Sequence, residues 1–192
     1  MTRHIACLGL GLGSALGAVG PGAAAQARPA PIIRIEQRWP FAADGSVRIV
    51  NPAGRIRVIG WDVDTVAVRA RGAGAFAADG NGSVRKLVVT GRADLEVHLP
   101  RGARVWVKSA AADIDVVGVD GTLELNSVSG AIHLRVPGTT VADFDLLTIG
   151  GSIANGLTSD APQRGTLRFS TGAGGAQVTI RSFKGSISLE AK

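Results

Sequence analysis

Residues 123–134 read Leu-Glu-Leu-Asn-Ser-Val-Ser-Gly-Ala-Ile-His-Leu, and this stretch decides the fold. Apolar and polar residues alternate on both sides of a Ser-x-x-Gly turn, which predicts two short strands joined at a corner. Glycine suits such a corner because it adopts a positive φ at little steric cost. The pattern apolar-x-apolar-x-(Asn/Ser/Thr)-x-x-Gly-x-apolar returns at 47–58, 144–153, 167–178 and 178–189.

A recurring strand–corner–strand unit predicts stacked coils, because one unit cannot bury its own apolar face. About 20 residues make one full coil in this interpretation, and half of that makes a half-coil. We therefore predict an all-β fold, a single-stranded flattened β-solenoid or parallel β-helix-like stack, with an antiparallel β-sandwich as the alternative. The predicted buried rows are Ile114, Leu123 and Ile132 on one side, and Val116, Leu125 and Leu134 on the other.

Two further segments have patterns of their own. Ile32–Pro40 is a poorly patterned candidate for a first strand, whereas Ala73–Gly82 is small, glycine-rich and almost uncharged, which predicts a mobile loop. No window sustains an apolar period of 3.6 residues, so no helix is expected.

The composition supports a β-rich core. Of the 192 residues 45% are hydrophobic but only 4% are aromatic, and tyrosine is absent. The core is therefore expected to consist of valine, isoleucine, leucine and alanine, which include the residues that suit pleated surfaces. The 27 glycines show no three-residue period, which excludes collagen.

The amino-terminal residues 1–27 are typical of a cleaved secretory signal. Arg3 and His4 precede an uncharged apolar stretch, and Ala25-Gln26-Ala27 matches the signal-peptidase site. An uncleaved membrane anchor is the alternative, although the stretch is short for a stable span. The only cysteine, Cys7, lies in this segment, so the mature chain would hold no disulfide. We expect a flexible lead-in at 28–40, a β-solenoid domain at 41–192, and a bacterial protein that is periplasmic or secreted.

Charged side chains are unevenly distributed along the chain. Residues 28–110 hold 14 basic and 7 acidic side chains (net +7), and residues 111–192 hold 6 and 8 (net −2). A basic half favours anionic envelope polymers, lipid headgroups or nucleic acid, with a solvated arginine-rich surface as the plain alternative. Nucleic acid is not expected as a partner, because the charge is dispersed and aromatic residues are few.

Five residues form the expected interaction surface: Trp106, Lys108, Arg48, Arg55 and Arg57. Trp106 lies between two inward valines and should point outward, beside Lys108. It could contact a glycan ring or a partner, cover a sheet edge, or pack under the segment 73–82.

The acidic pairs Asp113/Asp115 and Asp143/Asp145 have the i, i+2 spacing that places both carboxylates on one outer face of a strand. Outward carboxylates of this kind could serve a carbohydrate-active β-helix enzyme, so Asp113/Asp115 define an enzyme alternative. No metal site, cofactor site or catalytic residue is assigned. His98 and His133, at outward positions, are interpreted as surface histidines.

Most of the region 41–189 resembles the bacterial DUF4097 family, whose name is "putative adhesin". The segments that carry the resemblance are Asp44-Gly45, Val47-x-Ile49-x-Asn51, Gly54-x-Ile56-x-Val58, Gly60-Trp61-Asp62, Val66-x-Val68, Val97-x-Leu99-Pro100-x-Gly102 and Ser127-x-Ser129-Gly130-x-Ile132. The sequence departs from the pattern at Ala110-Ala111-Ala112. The resemblance implies an envelope-associated, β-solenoid-like domain without known catalytic residues.

Three functions follow as hypotheses. The first is an exported, non-enzymatic scaffold or adhesin-like module that contacts an envelope protein or an anionic envelope polymer. The second is the enzyme that uses Asp113/Asp115, and the third is an accessory or sensor domain in envelope stress. An end-to-end homodimer through the carboxyl-terminal coil is also expected, because edge strands leave unpaired backbone groups.

Overall fold

The computed structural model describes residues 32–158, 163–173 and 175–192. Within these ranges the chain forms thirteen strands and no helix, which confirms the all-β prediction. The signal segment 1–27, Cys7 and the residues 28–31 of the lead-in lie outside the described residues.

The strands follow one another at short intervals along the chain. Their bounds are β1 Ile32–Pro40, β2 Ser46–Val50, β3 Ala53–Trp61, β4 Thr65–Gly80, β5 Val84–Pro100, β6 Arg104–Ser109, β7 Ala111–Val117, β8 Leu123–Ser127, β9 Ile132–Val136, β10 Ala142–Asn155, β11 Gln163–Ser170, β12 Ala176–Ser182 and β13 Ile187–Ala191.

Each coil contributes one strand, or one part of a long strand, to each half of a continuous sheet. Half-sheet A contains β2, β6, β8, β12 and the first part of β10, all parallel and in register. Half-sheet B contains β3, β7, β9, β13 and the last part of β10, also parallel. The long strand β5 pairs with β2 through its first part and with β3 through its second, so it joins the two halves.

Antiparallel pairing is confined to the two ends of the stack. At one end β4 pairs with both β5 and β1, and at the other end β11 pairs with β10. The parallel stacking agrees with the coils that the repeat predicts, and differs from an antiparallel sandwich.

The coils do not stack in chain order. The coil of β12 and β13 lies between the coil of β8 and β9 and the coil formed by β10. The last strand, β13, is therefore paired on both sides and does not form an end of the stack. The premise that the carboxyl-terminal coil offers a free edge is wrong, because its backbone groups are already paired.

Aliphatic side chains line the interior in straight rows. In half-sheet B one row crosses every coil and is fully or almost fully buried: Leu95, Ile56, Ile114, Ile132, Ile187 and Ile153. Burial of each such side chain contributes roughly 1.5–3 kcal/mol. The rows therefore hold neighbouring coils together.

The predicted composition of both rows is corrected. Ile114 pairs with Ile132 and Val116 pairs with Leu134 in half-sheet B. Leu123 and Leu125 do not belong to these rows, because they lie on β8 in half-sheet A. The reason is geometric: a step of half a coil carries the chain across the interior to the opposite half-sheet.

The segment Ala73–Gly82 is not the predicted mobile loop. Most of it belongs to β4, which runs antiparallel to β5 from Ala67 to Gly80. Glycine permits this close pairing: a Cβ on Gly74 would lie 1.8 Å from the carbonyl oxygen of Thr90. Small residues here indicate tight contact between backbones, which composition alone does not distinguish from a loop.

The repeat copy at 167–178 does not form a coil. Its first part lies in β11, antiparallel to β10, where Phe169 stacks on Phe144 at a ring-centroid distance of 4.6 Å. Because β11 pairs antiparallel with β10, it covers the end of the stack and adds no parallel coil.

The corner positions carry a row of buried polar side chains: Asn51, Ser109, Ser127, Ser182 and Thr148. Their side chains satisfy backbone groups of the corners. The Ser182 hydroxyl accepts from the Gly185 amide at 2.8 Å, and the Thr148 hydroxyl accepts from Gly151 and donates to the Gly185 carbonyl. The Asn/Ser/Thr preference in the repeat therefore stabilises the turns, as predicted.

Candidate functional site

The outer surface of half-sheet B carries charges that neutralise one another. Neighbouring strands alternate in sign along one row: Glu36, Arg69, Glu96, Arg57 and Asp115. Arg69 lies 3.0 Å from Glu36 and 3.8 Å from Glu96, and Arg57 lies 3.7 Å from Asp115. These exposed pairs contribute little each, but they leave little net charge for a ligand.

Glu96 has an additional partner outside this row, His98. Its carboxylate is hydrogen-bonded to the His98 ring at 3.0 Å. That bond, with smaller help from the charges of His98, Arg57 and Arg69, holds the pKa of Glu96 below its usual value despite partial burial. The hydrogen bond and charge of Glu36 similarly raise the pKa of Arg69.

The candidate catalytic carboxylates belong to this neutralised surface. Asp113 accepts a hydrogen bond from the Ala131 amide at 2.9 Å. Asp115 lies between Arg57 and Arg135, at 3.7 and 3.6 Å. The two carboxylates share the outer face of β7, but the fold already uses both, and their geometry adds no support to the enzyme hypothesis.

The second acidic pair is similar. Asp145 lies 3.2 Å from Arg168 and 4.0 Å from Arg181. Within the described ranges no group of three or more histidine, cysteine or acidic side chains is placed to hold a metal ion.

The outer surface of half-sheet A is different, because one part of it is basic. Arg48 lies in register with Lys86 on one side and Trp106 on the other, and Lys108 follows two positions after Trp106. The Arg48 guanidinium carbon lies 4.5 Å from the centroid of the Trp106 ring, a cation–π contact. We call Arg48, Lys86, Trp106 and Lys108 the cationic groove.

Among the described residues, the cations of the cationic groove lack a carboxylate at ion-pairing distance, and apolar residues line part of the groove. In the part of the chain that the structure describes, Arg48, Lys86 and Lys108 have no carboxylate within 4 Å. The depression measures about 470 Å³ and is also lined by Val50, Pro52 and Val128. Exposed cations around an aromatic ring and aliphatic side chains suit a ligand that is both anionic and partly apolar.

The structure separates the five predicted interaction residues into two groups. Arg48, Trp106 and Lys108 meet in the cationic groove, whereas Arg55 and Arg57 lie on β3, on the outer surface of half-sheet B. Trp106 is half-buried on the outer surface of β6, in register with Glu124, and its strand neighbours are β2 and β8 and not the segment 73–82.

Sequence reasoning missed Lys86 as a member of this site. It stands just before the buried Leu87, so its outward position follows from the alternation of β5. What the sequence does not show is that β5 pairs with β2, which brings Lys86 beside Arg48.

The two histidines differ. His133 is exposed, as predicted. His98 is half-buried: its ring lies 5.1 Å from that of Trp61, whose indole N–H donates to the Thr65 carbonyl. His98 and Trp61 therefore stabilise the end of β3.

Searches for similar proteins give a result for the fold alone. No protein-family model matches the chain, and no curated protein matches its sequence. A "putative cell adhesion protein" from Clostridium sporogenes aligns with a TM-score of 0.50 and 9% identity, over 83% of this chain and 100% of that one.

Two "putative adhesin" structures align with lower scores. The protein from Bacteroides fragilis has a TM-score of 0.31 and 9% identity, over 83% of this chain and 97% of that one. The protein from Parabacteroides merdae has 0.24 and 10%, over 81% and 95%. Because the Clostridium protein is only 9% identical to this chain, the likeness concerns the architecture alone, an all-β stack of parallel coils.

None of the described segments forms a helix long and apolar enough to cross a membrane.

Proposed function

We propose that this chain is an exported, non-enzymatic β-repeat module that contacts anionic polymers of the cell envelope through the cationic groove. The observation that carries the proposal is the cluster of Arg48, Lys86 and Lys108 around Trp106. Among the described residues no carboxylate lies within 4 Å of these three cations, although Asp79 of β4 is in register with Lys86. Three neighbouring unpaired cations repel one another, so an anionic ligand that lies across them relieves this repulsion.

The chemistry of the groove favours an acidic polysaccharide among such polymers. The Arg48 guanidinium lies over the Trp106 ring, so this flat pair, and not a bare aromatic face, would meet a sugar ring. The groove also suits an extended polymer that crosses the strands. Its cations lie on three adjacent strands, and neighbouring strands are about 4.8 Å apart. A carboxylate on each sugar would meet a guanidinium or ammonium group.

Export and family membership belong to the same proposal. The amino-terminal signal pattern supports export, and the motifs of the region 41–189 support a DUF4097-type domain. The fold shared with the Clostridium sporogenes protein, whose name refers to cell adhesion, is consistent with an adhesin-like role.

Binding to polygalacturonate tests the proposal, because that polymer carries a carboxylate on each sugar and no other charge. The full chain should bind it in low salt and lose affinity as salt is raised, since screening weakens exposed charge pairs. Arg48→Ala and Lys108→Ala should each weaken binding about tenfold, equivalent to about 1.4 kcal/mol. Neutral dextran should not bind.

Arg55→Ala is the matched control, because it removes one exposed arginine from half-sheet B and alters the net charge equally. Its affinity should stay within about twofold of the unchanged chain. Equal losses for Arg48→Ala and Arg55→Ala would mean that total charge, and not the cationic groove, governs binding. No binding by the folded chain would reject the proposal.

A further inference from the structure

One edge of the stack carries an uninterrupted row of apolar residues. The residue directly after each buried corner Asn, Ser or Thr is apolar, and the stacking order places these residues next to one another: Pro52, Ala110, Val128, Phe183 and Ile149. Backbone hydrogen bonds confirm the adjacency. The amides of Ala110, Lys184 and Gly150 donate to the carbonyls of Pro52, Val128 and Phe183, respectively. We call this set the corner row.

The large members of the corner row face solvent. Val128 is 53% exposed, Phe183 48% and Ile149 65%. They account for three of the seven large hydrophobic residues that are exposed within the described ranges, and they lie on three consecutive coils. A contiguous exposed apolar row of this kind is a candidate contact site.

Basic residues flank the row, and acidic residues are absent from its corners. The corner segments 51–54, 109–112, 127–131, 148–152 and 182–186 contain no aspartate or glutamate. The Lys184 ammonium lies 5.9 Å from the centroid of the Phe183 ring. Lys108 and Arg181 line a depression of about 250 Å³ beside Val128, Phe183 and Ile149.

We propose that the corner row docks on an anionic phospholipid surface, with Val128, Phe183 and Ile149 inserted at the headgroup level. Lys184 would then face lipid phosphates, as would Arg181, whose guanidinium also lies 4.0 Å from Asp145. Surface-bound proteins combine apolar insertion with basic side chains in this way. Because the polar groups of each corner backbone are hydrogen-bonded within the stack, insertion would leave few of them unpaired.

The shape and size of the row favour a lipid surface over a second copy of the chain. Three partly exposed side chains offer on the order of 300 Å² of apolar surface, whereas a stable interface buries about 800 Å² on each partner. Two copies would also bring Lys184 and Arg181 towards like charges. An anionic bilayer needs only shallow insertion and complements the basic charge.

Quenching by brominated lipid tests the docking directly. Phe183→Trp and Val63→Trp each place one new tryptophan in the full chain. Val63 is a matched control because it is 49% exposed but lies in the turn between β3 and β4, away from the corner row. Vesicles contain brominated phosphatidylcholine with or without phosphatidylglycerol. Circular dichroism establishes that each variant is folded.

We expect the Phe183→Trp chain to lose at least twice as much of the fluorescence of its added tryptophan as the Val63→Trp chain, and only with phosphatidylglycerol present. Lys184→Glu in the Phe183→Trp background should reduce this quenching at least threefold. Equal quenching at both positions would show adsorption through another segment and would overturn the proposal. Absence of quenching, or a doubled mass in solution with no lipid binding, would overturn it as well.

The corner row adjoins the cationic groove, because Pro52 and Val128 also line the groove, but the two proposals are tested separately. A chain that binds polygalacturonate but not vesicles supports only the proposed function, and the converse result supports only docking of the corner row. Arg48→Ala should leave lipid quenching within about twofold of its unmutated level, because Arg48 lies outside the corner row.

Discussion

Ser127 and Ser182 lie side by side in adjacent parallel strands, although β9, β10 and β11 lie between their strands β8 and β12 in the chain. The carboxyl-terminal coil is therefore inserted between two coils that are consecutive in sequence. This insertion gives each inward side chain of β12 a neighbour on both sides. It also places Phe183 between Val128 and Ile149.

The first prediction concerns this inserted coil. Ile180 is fully buried between Leu125 and Leu146, so Ile180→Ala should lower the free energy of unfolding by about 2–5 kcal/mol. Denaturant unfolding measures the change. Gln177→Ala, at an exposed position of the same strand, should cost less than about 0.5 kcal/mol. A loss below 1 kcal/mol for Ile180→Ala would fit a frayed last coil and contradict the insertion.

The second prediction tests the inward and outward assignment of β8. Leu125 is fully buried, whereas its neighbour Glu124 is exposed and its carboxylate accepts a hydrogen bond from the Asn126 side chain. Leu125→Asp should prevent folding because it buries a carboxylate without a partner. Glu124→Ala should shift the melting temperature by no more than a few degrees. Equal melting temperatures for the two variants would refute the assignment.

The third prediction concerns the buried polar side chains at the corners. The buried Thr148 hydroxyl accepts from Gly151 and donates to Gly185 of the neighbouring coil. Thr148→Val leaves both backbone groups without a partner and should cost about 1–3 kcal/mol. Thr166→Val, the same change at an exposed position of β11, is the control. Equal unfolding free energies for the two variants would show that the hydroxyl does not stabilise the corner.

The fourth prediction uses the lowered pKa of Glu96. A carboxyl group whose pKa is lower in the folded state stabilises the fold above its ordinary pKa of about 4.3. This stability is lost as the pH falls through the lower, folded-state value. The stability advantage of the unchanged chain over Glu96→Gln should therefore shrink between pH 5 and pH 3.

Unfolding curves at several pH values measure this advantage. With His98→Ala in both chains the pH dependence should weaken, because the hydrogen bond from His98 is the main cause of the lowered pKa. A stability difference that stays constant from pH 5 to pH 3 would show that Glu96 titrates at its ordinary value.

Much of the fold is encoded locally and could be predicted. The alternation around Ser127-x-x-Gly130 specifies two strands, a corner and the inward residues, because side-chain direction follows a period of two. Gly130 adopts a φ of +106° at its corner, and a Cβ there would lie 2.4 Å from the Ala112 carbonyl oxygen. Local stereochemistry accounts for that choice of residue.

The order of the coils could not be predicted in the same way. Ile132 packs beside Ile187 and not beside Ile153, yet all three are isoleucines at equivalent positions. Near-identical units leave the choice of neighbour to small differences in packing and in connection length. The cationic groove could not be predicted for the same reason. Arg48, Lys86 and Trp106 become neighbours only through pairings between strands that are distant in sequence.

Amide chemical shifts on titration with a galacturonate oligomer show whether the cationic groove is the binding surface. We expect changes at Arg48, Lys86 and Lys108 and at the indole N–H of Trp106, with no comparable change at Arg55 or Arg57. Changes concentrated on β3 and β7, or an unchanged spectrum at saturating oligomer, would contradict this expectation.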